Sequence, residues 1–84
     1  MQQVDKENLK KLGKRIKQAR IVKSKSLNKF ALQNGFITPA TLSRIENGLV
    51  DLKFSTLLKI SHMLKIQPSQ LIKNIDFNYN FDDE

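Results

Sequence analysis

Short helical segments, each with its own start and stop residues, constrain this chain more than any other feature of it. Apolar residues recur at three- and four-residue spacing, and Gly35, Pro39, Gly48 and Pro68 divide the pattern into pieces of a few turns each. Helices that short are marginal alone in water, so they must bury their apolar faces on one another. The best delimited is TPATLSRIENG, residues 38–48. Thr38 suits the cap, Pro39 the first helical position, where no amide donor is needed, and Gly48 the left-handed residue after the end. The spacing predicts Leu42 and Ile45 as the buried pair and sets a carboxylate, Glu46, on the border of the same stripe.

A second charge is equally out of place. The first helix is predicted over about Asp5 to Val22, with Leu9, Leu12, Gly13, Ile16 and Ala19 as its buried stripe. Arg20 lies four residues after Ile16, so it points inward. A buried guanidinium needs a carboxylate and full hydrogen bonding. Arg20 and Glu46 are therefore expected to pair and to tie the third helix to the first. Lys6, Lys10, Lys11, Lys14 and Lys17 fall on the other side and read as a solvated face.

The remaining segments complete an all-α domain of five helices. Ser26 is a cap for LNKFALQN, stopped by Gly35, with Phe30 and Ala31 inward. A fourth helix over about Phe54 to Leu64 turns Leu57, Leu58, Ile60, Met63 and Leu64 to the core. Pro68 starts a fifth, containing Leu71, Ile72 and Ile75. Residues 5–75 form the domain and 76–84 a tail, in which Phe77, Tyr79 and Phe81 alternate with Asn78 and Asn80 in strand periodicity.

At 84 residues this is one small domain. Residues 1–75 hold all fifteen Lys and Arg and only Asp5, Glu7, Glu46 and Asp51, a charge of +11, whereas residues 76–84 carry −4. A basic body of this size expects a polyanion or an acidic surface as partner. With no cysteine, one histidine (His62, read as surface or interface) and no Gly-rich phosphate loop, no nucleophile constellation, acid–base pair or metal set can be assembled. Neither enzymatic activity nor a cofactor or metal is expected. The polar start MQQVDKENLKK predicts no signal peptide, no apolar run reaches membrane-spanning length, and a cytoplasmic location without a membrane partner is expected.

LGKRIKQAR at 12–20, FALQNG at 30–35, TLSRIENG at 41–48 and LLKISHMLKI at 57–66, in that order, resemble the Cro and phage-repressor type of helix-turn-helix regulators, the XRE family. The resemblance covers roughly residues 9–75. It implies a lambda-repressor-like DNA-binding domain, an ion pair between Arg20 and Glu46, and a recognition helix at 39–46 lying in the major groove. Pro39, Ala40, Ser43, Arg44 and Asn47 are then its outward residues. Arg44 reads a base through guanine O6 and N7, Ala40 touches a thymine methyl, and Ser43 bonds a base or a phosphate. Pro39 acts by shape, and Thr38 and Thr41 line the same helix start. Asn47 matches a phosphate-contacting position. Lys25, Ser26 and Lys29 at the start of the second helix, and Lys53 after the third, are expected to meet the backbone.

Two departures from the family pattern stand out: Leu27 replaces the usual Gln, and the turn from Gly35 to Thr38 is one residue longer, adding Ile37. The implied function is a sequence-specific double-stranded-DNA-binding transcriptional regulator. It acts as a repressor, with activation open, on a two-half-site operator as a homodimer. The rival reading is a protein-interaction module, such as a toxin–antitoxin or adaptor component, with DNA binding secondary and the tail adding a strand to another chain. The alternatives for the tail are pairing with its own copy across a twofold axis and a frayed terminus.

Overall fold

The computed structural model describes residues 2–81. Among the described residues there are five helices: α1 (Gln3–Lys23), α2 (Leu27–Asn34), α3 (Pro39–Glu46), α4 (Phe54–Leu64) and α5 (Pro68–Ile72). The fold is all-α and lambda-repressor-like. Each boundary has a local cause. Ser26 and Thr38 accept the Lys29 and Thr41 N–H groups as N-caps (3.2 Å each). Pro39 and Pro68 sit in the first turns of α3 and α5, and Gln67 and Gln70 form a reciprocal capping box at α5.

One core joins the helices. Ile16 of α1, Phe30 and Ala31 of α2, Leu42 and Ile45 of α3, Ile60, Met63 and Leu64 of α4 and Leu71 of α5 are buried together, and Ile37 joins them from the turn. The extra turn residue is thus a core residue. Leu27 lies half-buried against the same cluster, so the departure at that position serves packing.

Two close approaches depend on glycine. At Gly13, a Cβ would stand inside van der Waals contact of the Ile45 and Glu46 carbonyl oxygens (2.6 Å for the latter), so α3 can approach α1 this closely only there. Gly48 has φ +69° and is packed on the Lys10 backbone, where a Cβ would lie 2.7 Å from its Cα.

Several expectations need correction. Leu58 is 42% exposed, because with Ile60, Met63 and Leu64 inward it lies on the outer face of α4. Ile72 is also exposed, since Leu71 takes the single inward position of this short helix. Helix α5 ends at Ile72; Asn74 adopts φ +63°, and Ile75 lies beyond it, half-buried, outside any helix. Helix α1 starts two residues earlier than predicted and also buries Val4.

The described part of the tail is not a strand. Phe77 and Phe81 donate their N–H groups to the carbonyls two residues back (3.0 and 2.9 Å), and Asn80 donates its own to Asn78 Oδ1 (2.8 Å). These tight turns use the backbone groups that a ladder would need. The tail instead lies along α1. Asn8 Nδ2 donates to the Asn78 carbonyl and Asn78 N–H donates to Asn8 Oδ1, both at 2.8 Å. Asn78 Nδ2 donates to Glu7 (2.9 Å), Lys11 Nζ to the Asp76 carbonyl (2.6 Å) and Arg15 Nη1 to the Lys73 carbonyl (2.8 Å). Lys11 therefore does more than face solvent. The acidic stretch 82–84 lies outside the described residues.

Candidate nucleic-acid interface

The buried bridge organises this face. Arg20 Nε donates to Glu46 Oε2 at 2.6 Å and Nη2 to Oε1 at 3.0 Å, a bidentate pair whose side chains are 4% and 2% exposed. Arg20 Nη1 turns the other way and donates to the carbonyls of Ser24 (3.0 Å) and Lys25 (3.2 Å). The carbonyls it holds lead directly into the Ser26 cap. A single guanidinium thus fixes α3 and the entry to α2 relative to α1. Sequence spacing pointed to the ion pair but carried no sign of the turn contacts, because those use backbone oxygens.

Helix α3 buries Leu42, Ile45 and Glu46 and turns its other side outward. Ala40, Arg44 and Asn47 are exposed, while Pro39, Thr41 and Ser43 are half-buried at the edges of that face. The far end is tightly closed. Asn47 N–H and Nδ2 both donate to the Ser43 carbonyl (3.1 and 2.8 Å), Gly48 N–H to Ile45 and Leu49 N–H to Arg44. One amide hydrogen of Asn47 is therefore held within the helix end and one points away. At the near end, Thr38 Oγ1 accepts the Thr41 N–H and donates to Thr41 Oγ1 (3.0 Å), so both hydroxyls first serve the cap.

Lys25 and Lys29 are exposed on either side of the half-buried Ser26, and Lys53 is exposed at the N-cap position of α4. The Ser26 hydroxyl accepts from Lys29 N–H, leaving the first α2 amides directed outward, the arrangement in which a helix N-terminus favours an anion. His62 is exposed and meets the Phe36 ring edge-on, with centroids 5.2 Å apart, as its surface assignment anticipated. No helix among the described residues is long and apolar enough to cross a membrane.

Two short capped helices, one locked across the first helix by a buried ion pair with its outer face bare, define a helix-turn-helix DNA-binding domain. The sequence matches the helix-turn-helix domain family over residues 13–76, more than half of the chain, and the chain belongs to that family, which is typical of Cro- and phage-repressor-type regulators. No curated protein and no solved structure matches it.

Proposed function

We propose that this protein is a non-enzymatic, sequence-specific transcriptional repressor that binds a two-half-site operator as a homodimer. The observation that carries the reading is the outer face of α3. Arg44 stands exposed on a helix held rigidly by the buried Arg20–Glu46 bridge, so its guanidinium can address a base edge from a fixed platform.

In this reading Arg44 pairs with guanine, Ala40 meets a thymine methyl and Ser43 bonds a base or phosphate. Pro39, Thr38 and Thr41 shape the helix start against the groove. Lys25, Ser26 and Lys29 hold one phosphate run and Lys53 and Asn47 another, setting register without reading sequence. The body charge of +11 over residues 1–75 supplies the nonspecific attraction.

Incubating the protein with a pool of random duplexes and nonspecific competitor at physiological salt, then sequencing what is retained, tests this. An enriched palindrome with half-sites about 34–36 Å apart, or a multiple of that, is the expected result. Retention with no enriched sequence would reduce the protein to a nonspecific basic binder.

A further inference from the structure

On the surface of α4, away from the core, Phe54 and Leu58 are 71% and 42% exposed, one turn apart, and His62 follows one turn later with the half-exposed Phe36 ring against it. Helical rise makes this row about 12 Å long from Phe54 to His62, with a side chain every 6 Å or so. From residue 52 to residue 75 the chain carries Lys53, Lys59, Lys65 and Lys73 and no acidic residue. Two such rows meeting face to face would bring like charges together. Charge complementarity therefore calls for an acidic, aromatic occupant.

The chain contains one. Residues 79–84, YNFDDE, hold Tyr79 and Phe81, 75% and 51% exposed, followed by Asp82, Asp83 and Glu84. Once the turn bonds from Phe81 N–H to the Tyr79 carbonyl and from Asn80 N–H to Asn78 Oδ1 open, two residues of extended chain span at most about 7 Å, which matches the one-turn spacing along α4. We propose that residues 79–84 of a second copy dock along the Phe54–Leu58–Phe36 row, with their acidic groups against Lys59 and Lys65, and that the exchange is reciprocal.

Reciprocity follows from area. Covering the exposed parts of Tyr79, Phe81, Phe36, Phe54 and Leu58 removes roughly 500 Å² per docked tail, since an aromatic side chain buries about 150–250 Å² when fully covered. Two docked tails approach the roughly 1,000 Å² that a specific interface needs; one does not. The symmetry is that of an isologous dimer, in which the same patch and the same tail serve both subunits. This inference rests on the proposed two-copy assembly and gives it a surface.

The test is the solution mass of the full chain without DNA, by light scattering over a concentration series, so that its outcome is independent of operator binding. The parent is expected to dimerise, and Leu58→Glu or deletion of residues 79–84 to weaken the dimer by at least about tenfold. Lys59→Glu with Lys65→Glu should weaken it as well, and adding Asp82→Lys and Asp83→Lys should restore it. The restored dimer would show that both surfaces are folded and in contact. A monomeric parent, or a dimer indifferent to all of these changes, would overturn the proposal. So would a charge swap that fails to restore a dimer weakened by the lysine changes.

Discussion

Between α2 and α3, every fastening is local or buried. Each helix has its own hydroxyl cap, the turn contributes Ile37 to the core, and Arg20 and Glu46 meet where solvent scarcely reaches. Between the first half of α1 and residues 73–78, the hydrogen bonds are at most half-buried: a reciprocal Asn8–Asn78 pair, a lysine on a carbonyl and Arg15 on the carbonyl of Lys73. The first region lies within the matched family span, whereas Val4, Asn8, Lys11 and Asn78 lie outside it. A surface that addresses a ligand at fixed geometry must not adjust, and buried ion pairing with close packing secures that. A strap over a helix tolerates water at its hydrogen bonds, so each bond in it contributes less.

The largest effect should come from breaking the first region electrostatically. Glu46→Gln leaves Arg20 buried without its counter-charge and is expected to destabilise the fold by about 3–5 kcal/mol, read as a fall in denaturation midpoint at constant slope. Because Arg20 also holds the Ser24 and Lys25 carbonyls, the N-terminal amides of α2 should lose hydrogen-exchange protection in the same variant. A midpoint equal to the parent's would mean that the pair is not buried in solution.

Gly13→Ala tests packing in the same region. On propensity alone this change should stabilise a helix by about 1 kcal/mol. The carbonyls of Ile45 and Glu46 stand where the new methyl must go, so the expected result is the reverse, a destabilisation of about 1–3 kcal/mol. Thermal melting reports the sign directly.

Arg44→Ala leaves the fold intact and should weaken specific DNA binding by about 1–3 kcal/mol, with relaxed preference at one base step. Competition binding against single-base variants of the selected site checks this, and an unchanged preference removes Arg44 from the readout. Smallest is the strap: Asn8→Ala removes both bonds to Asn78 and is expected to cost about 1 kcal/mol. Faster exchange at the Asn78 amide with unaltered exchange in α3 would show that the two regions are independent; loss of protection in both would join them into one cooperative unit.

Much of the first region was legible because its determinants lie close together along the chain. Thr38-Pro39 and Asn47-Gly48 mark the ends of α3 by cap chemistry, and the helical period put Arg20 and Glu46 on inward faces, where each needed the other. Leu58 and Ile72 misled because hydrophobic type does not say which side of a short helix meets the core. The aromatic alternation of 77–81 misled because the asparagines between the rings bond locally and along α1. What Arg44, Ala40 and Ser43 meet on DNA is set by groups of the partner, which no spacing within the chain encodes.

Sequence by itself determined the helices, their order, the buried charge pair and the family, since the 3.6-residue period, the caps and the cost of unpaired buried charge act through spacing and residue type. Only the tertiary structure decided the use of Gly13 as a crossing point, the burial of Val4, the clamp of Arg20 on the α1–α2 turn and the strap between Asn8 and Asn78. Each of these depends on a backbone group or side chain brought close by the fold. A carbonyl oxygen has no letter in the sequence, and neither does an asparagine amide's use as a surrogate for backbone pairing at a sequence separation of 70.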